Sequence, residues 1–362
     1  MTKSVSIAVT GDLFPNDRFY VADRPIDSGL DSALAVMGKA DIRHATFLMP
    51  LSERGEAMEK VAVIRAHPAI AEDLPNLGLD LISLANNHTF DFGPDALSDT
   101  IEALTGAGSM VIGAGANLEA ASKPVILTRN EVRVGFVAFS CLVPPGAAAT
   151  ADRPGISGIR VHSSYEVHPA WSVEEPGEPE LVQIHTRVDP DDEARALEQI
   201  KAVRKEVDVL VVTVHWGYGA GERQAEYQQP LGHAFVDAGA DVVFGHHVHG
   251  VQGVEIYQGR PILYSPGTFI GRQESEDPAT LSELAQRLIA DMTPDGYIAI
   301  LEFTDNKLTS LVLNPTSHND KGIPHISKGE EFERVSSRII RGSSKLGTRM
   351  TVEGDRLVVD LS

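Results

Sequence analysis

Three histidines in four positions, His246, His247 and His249, follow the apolar run Val242-Val243-Phe244-Gly245. Protonated imidazoles so close together repel one another, so neutral ligands for a cation are the natural reading. In an extended segment, His247 and His249 would project to one face and His246 to the other, making the H-x-H pair half of a metal site. Other metal-type side chains recur in the same setting, each where an apolar strand-like run ends. Asp12 follows 5–10, Asn87-His88 follows 79–84, and His215 follows 207–214. One strand-end histidine is more often a satisfied polar group than a ligand; four such places in chain order are a stronger signal. Open α/β sheets gather their ligands beyond the C-terminal ends of strands, which would bring these side chains to one edge. Oxygen donors from Asp12 and Asn87 beside imidazoles suit Zn2+, Mn2+ or Fe2+ better than Ca2+.

The elements that must position them read as an alternating α/β chain. Strands are predicted at 5–10, 45–48, 79–84, 110–113, 124–128, 132–140 and 207–214, and helices at 30–39, 68–77, 94–105, 191–206 and 227–238. Pro94 sits in a first helical turn and Gly106 acts as a stop, whereas Pro75 disturbs the 68–77 segment. Hairpins are expected around Gln258-Gly259 and Asp305-Asn306. From 143 to 189 the texture turns to proline, glycine, alanine and acidic residues, which predicts a long loop on the substrate side. Arg153, Arg160, His162, Tyr165 and His168 within it could reach a substrate, as could His246. The last stretch, 327–362, holds an amphipathic segment at 332–340 and two short strand candidates.

Composition narrows the classes. At 362 residues the chain suits one large domain or two. A formal charge of -20 excludes a nucleic-acid partner and an anionic membrane surface, both of which need a basic face. No stretch approaches membrane-spanning length and the start lacks an apolar signal segment, so a cytoplasmic protein is expected. Cys141 is the single cysteine, which rules out an internal disulfide. Its place after a β-branched and aromatic run reads as a structural buried thiol.

Four motifs together carry a resemblance. Val9-Thr10-Gly11-Asp12, Ser83-Leu84-Ala85-Asn86-Asn87-His88-Thr89-Phe90-Asp91-Phe92-Gly93, His215-Trp216-Gly217 and Gly239 through His249 resemble the CapA family of poly-γ-glutamate capsule biosynthesis. That family is similar to the calcineurin-like metallophosphoesterases. Tyr264-Ser265-Pro266-Gly267-Thr268-Phe269 resembles its closing motif. The likeness implies a four-layer α/β/β/α sandwich over 1–315, with 316–362 as an extension packing on that domain or on a partner chain. It also implies Asp12, Asn87, His215, His247 and His249 as ligands, and His88, oriented by Asp91, as general acid. Two departures stand out. Phe14 replaces the histidine of the phosphoesterases' first motif, and Leu48 stands where the family carries a glutamate able to bridge two ions. Without that anion two adjacent dications repel each other poorly screened. One divalent ion is therefore expected, held mainly by Asn87, His215 and His247, with Asp12 and His249 either further ligands or free acid/base groups.

The resulting expectation is a metal-dependent hydrolase of a small anionic amide, ester or γ-glutamyl-like substrate, with metal-activated water and His88 as acid. An amino-acid or peptide epimerase using Asp12 and histidine is the alternative. A phosphoesterase and a capsule-assembly factor without chemistry are more distant ones. A small molecule or peptide is the expected partner, and a homo-oligomer stays open.

Overall fold

Strands rich in valine, isoleucine and phenylalanine on both faces belong in the interior of parallel ladders, and the chain uses them that way. The computed structural model describes residues 2–21, 24–178, 181–219, 221–271, 283, 286, 290 and 292–362. Among these the fold is mixed α/β, with seven α-helices and two large sheets. The ten-stranded sheet runs Met350–Glu353, Arg356–Val359, Lys307–His318, Asp295–Thr304, Ser4–Phe14, Ile42–Phe47, Leu81–Ser83, Met110–Ile112. Thr268–Gly271 pairs with the far end of Ser4–Phe14, and Pro324–Ile326 with Lys307–His318. The six-stranded sheet runs Val254–Tyr257, Arg260–Leu263, Val242–His246, Val209–His215, Val132–Ser140, Val125–Arg129.

Ser4–Phe14, Ile42–Phe47, Leu81–Ser83 and Met110–Ile112 are parallel neighbours. So are Val132–Ser140, Val209–His215, Val242–His246 and Arg260–Leu263. Three apolar clusters hold these pieces. One draws Val9, Ile42 and Leu81 from the larger sheet together with Phe136, Val211 and Phe244 from the smaller. A second packs Ala8, Ala45 and Ile82 with Leu30, Met37, Leu97 and Leu104 of helices Gly29–Met37 and Gly93–Gly106. The third packs Val137, Val212 and Val243 with Ile200 and Phe235 of helices Pro190–Arg204 and Gln228–Asp237.

Several local expectations need correction. Residues 68–77 form two 3-10 helices, Pro68–Glu72 and Leu74–Leu77, instead of one α-helix. Pro75 cannot donate to a continuous ladder, and Asp73 between the two pieces accepts from the amides of Phe19 (2.7 Å) and Tyr20 (3.1 Å). The first strand does not stop before Asp12 but continues to Phe14, with an irregular register around Asp12. The 143–189 stretch is not a bare loop. Val161–Val167 and Val182–Val188 pair as an antiparallel ribbon, and Gly155–Ile156 pairs with Ala114–Gly115.

The C-terminal residues join the same sheet. Lys307–His318 passes without a break through position 315, and Arg356–Val359 pairs with it. Helix Glu330–Lys345 buries Phe332, Val335 and Ile339 in the cluster shared by both sheets. Glu330, Glu331 and Glu333 in its first turn and Lys345 in its last complement the helix dipole. Among the described residues, no helix is long and apolar enough to cross a membrane.

Candidate metal centre

Parallel register brings the ends of neighbouring strands level. His215 lies opposite Ser140 on one side and His246 on the other. Two glycines let the surrounding chain close in. A Cβ on Gly245 would lie 2.1 Å from the Trp216 indole nitrogen, and one on Gly11 would lie 1.9 Å from the Gly267 carbonyl oxygen. The first contact seats Trp216, whose Nε1 donates to the Tyr264 carbonyl at 2.9 Å. The second carries Thr268 to the cluster, where its Oγ1 lies 3.2 Å from His249 Nδ1.

The chain does not remain extended through the three histidines. The strand ends at His246, and His247 and His249 take positive φ values of 116° and 46°. The expected sorting of alternate faces is therefore wrong. His246 points inward, fully buried, with Nδ1 2.6 Å from His215 Nδ1 and 3.6 Å from Asp12 Oδ1. Thr213 Oγ1, 3.1 Å away, meets its other ring nitrogen. Asp12, His215 and His246 form a group able to hold a metal ion, their candidate ligand atoms all within 4.8 Å of one another.

His215 faces two ways. Its Nε2 lies 2.8 Å from Asn87 Oδ1 and 3.1 Å from His247 Nδ1. One ring proton satisfies only one of those contacts. Donor atoms about 3 Å apart are also the spacing found around an ion bonded at about 2.1 Å. Asp12 adds a second sign of a cation site. Its carboxylate is fully buried; Oδ2 accepts from the His247 amide at 3.2 Å, while Oδ1 has no hydrogen-bond partner. Burial drives the Asp12 carboxyl well above the usual carboxylate range, opposed by that amide. Burial, then repulsion from the neighbouring histidines, holds His215 well below the ordinary histidine value, and burial, then His88 and Lys60, takes His247 down to about 3. Buried donors of this kind, neutral imidazoles and an orphaned carboxylate oxygen, fit a divalent cation.

The Asn87 turn is built by its neighbours. Asn86 Oδ1 accepts from the amides of His88 and Thr89 (both 2.9 Å), and Asn86 Nδ2 donates to the Phe47 carbonyl at 2.8 Å. His88 Nδ1 lies 2.8 Å from Asp91 Oδ2, which also accepts from the Ile64 amide at 2.8 Å. Since Asp91 accepts, His88 carries its proton on Nδ1 and leaves Nε2 as the working nitrogen. Burial lowers the proton affinity of His88; Asp91 opposes this, and Lys60 adds to it.

Lys60 escaped the sequence reading. Its ammonium, 14% exposed, bonds the Asp91 carboxylate and donates to the Asn87 carbonyl at 2.6 Å. It arrives on an irregular segment held by the Met58 amide on the Asp91 carbonyl (2.8 Å) and by Arg65 over the Phe92 ring (4.5 Å). The sole signal was a lysine in an unpatterned stretch, too weak to find.

Phe14 meets His249 edge-on, ring centres 4.9 Å apart, and Leu48 is buried in the cluster against the helices. Among the described residues, Arg153, Arg160 and Tyr165 make no hydrogen bond or ion pair with the histidine cluster. Arg160 pairs with Asp192 (2.7 Å) and Asp189, and Tyr165 is 69% exposed on the ribbon. Cys141 is buried, and burial pushes its thiol up, which agrees with a structural role.

Strand-end imidazoles gathered around a buried carboxylate define a candidate metal-binding protein of mixed α/β fold. Residues 6–273 match the family model of the bacterial capsule synthesis protein PGA_cap, and the chain belongs to that family. It is 31% identical to the "Probable polyglutamine synthesis accessory protein" of Mycobacterium tuberculosis, covering 83% of this chain and 72% of that one. It is 27% identical to the capsule biosynthesis protein CapA of Bacillus anthracis, covering 79% of this chain and 59% of the relative. A hypothetical protein from Thermus thermophilus, known from a crystal structure, aligns at 15% identity with a TM-score of 0.46. That alignment covers 87% of this chain and all of the other.

Proposed function

We propose that this protein is a metal-dependent hydrolase acting on a small anionic amide or ester, with a γ-glutamyl-type bond as the leading substrate class. The observation that carries the reading is the meeting of His215 Nε2 with Asn87 Oδ1 and His247 Nδ1, at 2.8 and 3.1 Å. In this reading Asn87, His215 and His247 hold one divalent ion, Zn2+, Mn2+ or Fe2+, with Asp12 and His249 as further ligands and His246 behind them. A bound ion would supply Lewis acidity and a water of pKa about 7.

The chain's own groups do the rest. His88 Nε2, unprotonated while Asp91 holds the proton on Nδ1, takes a proton from the attacking water and passes it to the leaving group, and Asp91 fixes the ring so that this nitrogen faces the substrate. Lys60 neutralises Asp91 and anchors the peptide of Asn87, a ligand in this reading. Leu48 and Phe14, both apolar, leave no anion to screen a second dication, which supports a single ion. Clusters on both faces of both sheets support a four-layer α/β/β/α sandwich of the metallophosphoesterase type, in which the stretch 316–362 supplies strands to the larger sheet.

The test is turnover of γ-glutamyl anilides and of p-nitrophenyl esters by metal-loaded protein, before and after exhaustive chelation. Activity that needs the ion and returns on adding it back supports the proposal. Activity untouched by chelation sinks it. Deuterium entering Cα of a peptide in D2O without bond cleavage would replace hydrolysis by epimerisation.

A further inference from the structure

We propose that the cavity between Glu222-Arg223-Gln224 and the C-terminal helix is a subsite for a chain carrying successive carboxylates. This deepens the hydrolase reading by placing the extended part of an acidic substrate. The cavity encloses about 370 Å3 and is lined by Arg223, Arg338 and Lys345 and by one carboxylate, Glu222, with Tyr218 and Gln252 beside them. Its position in so acidic a molecule is the first point. A net charge of -20 repels anionic ligands in general, so a local excess of cations marks where one can approach.

That excess is built into the helix. Arg334, Arg338 and Arg341, at intervals of four and three, share one face of Glu330–Lys345. Buried Asp295 takes Arg334 at 2.8 Å and Arg338 at 2.5 Å. Glu222 takes Arg338 at 3.9 Å and also pairs with Arg341. Arg223 and Lys345 line the same cavity, and neither has a carboxylate partner among the described residues. At the cavity wall three cations, Arg223, Arg338 and Lys345, thus stand against one carboxylate, Glu222. Glu222 itself shows that a carboxylate seats well against these guanidinium groups, which is why a carboxylate chain is the favoured occupant over phosphate.

The cavity adjoins the candidate metal centre along the chain. Val251, Gln252 and Gly253 of its wall continue directly from His249, and the Gly221 amide donates to the Val248 carbonyl at 3.3 Å. The helix backbone comes unusually near that wall, since a Cβ on Gly253 would lie 2.5 Å from the Gly342 carbonyl carbon. A ligand threaded past Arg223 and Lys345 therefore lies against the loops that carry His215 and His249.

The test is calorimetric titration of the metal-loaded full chain with synthetic γ-linked and α-linked tetraglutamate, the same oligomers with their carboxylates amidated, and inorganic phosphate. The expected result is binding of tetraglutamate that weakens with salt, and loss of about tenfold in affinity on amidation. The double variant R223Q/K345Q should lose about the same factor, as two partly exposed ion pairs allow, with metal content and melting temperature unchanged. Equal binding of the amidated oligomer, an unaltered double variant, or phosphate binding in place of tetraglutamate would overturn the subsite. Binding is read without turnover, so a protein that binds tetraglutamate but hydrolyses nothing refutes the hydrolase alone.

Discussion

The histidine cluster and the lone His88 at this sheet edge are treated in opposite ways. His215, His246, His247 and His249 are packed against one another and against Asp12, with no lysine or arginine bonded to that carboxylate among the described residues. His88 is instead pinned by Asp91, which Lys60 holds in turn. Burial lowers the proton affinity of both, but His88 has a carboxylate at hydrogen-bond distance from one nitrogen (2.8 Å), whereas Asp12 stands 3.5 and 3.6 Å from His249 and His246. The first arrangement leaves lone pairs for a cation; the second fixes a tautomer for moving a proton. Holding an ion and handling a proton are thereby separated on adjacent residues, Asn87 and His88.

Breaking the first group should have the largest effect. His215→Ala and Asn87→Ala are expected to reduce bound metal, measured by mass spectrometry of the purified protein, by about 100-fold or more in affinity, with turnover lost alongside. Breaking the second should spare the metal. Asp91→Asn and His88→Ala are expected to lower kcat by about 10²–10⁴ while metal content stays at the parent level. The loss should shrink for p-nitrophenyl esters, whose leaving group needs little protonation. Equal losses for good and poor leaving groups would remove the proton-donor role.

Lys60→Met sharpens the comparison from the other side. Taking one partner from a buried ion pair costs about 3 kcal/mol or more, so the urea midpoint should fall clearly while the histidine cluster still binds metal. Acidification should act on the cluster. His247 falls to about 3 in the folded chain against an unfolded value near 6.5. Between those limits the unfolded state binds more protons, so stability of the chelated protein is expected to drop as pH falls from about 6.5 toward 3. Asp12, raised by burial, acts in the opposite sense as pH rises above 4. With that opposing carboxyl removed in Asp12→Asn, a urea midpoint of the chelated protein that held or rose from pH 6.5 to 4.5 would contradict neutral buried imidazoles. Cys141→Ser, the smallest change, should alter neither metal content nor turnover.

Much of this was legible because the relevant signals are local. Each ligand-type residue follows a valine-rich run, and parallel strands of that kind end level with one another, as Thr213-Val214-His215 and Phe244-Gly245-His246 do. The helices at 94–105 and 191–206 and both hairpins followed equally from caps, prolines and glycine turns. Three things were not legible. The inward turn of His246 depends on positive φ at His247 and His249, which no residue type there demands. Lys60 reaches Asp91 across 31 residues of chain, by way of a segment with no periodicity. In Val161–Val167 the apolar positions 161, 165 and 167 alternate with polar ones, but the flanking proline, glycine and acidic residues hid the pattern.

The account rests on one cation among Asn87, His215 and His247. Crystals grown with Mn2+ and measured at wavelengths on either side of the manganese edge test that directly. An anomalous peak bounded by Asn87 Oδ1, His215 Nε2 and His247 Nδ1 is the predicted result. A map without density between those three atoms, or a peak lying elsewhere with the three still in mutual contact, would contradict it.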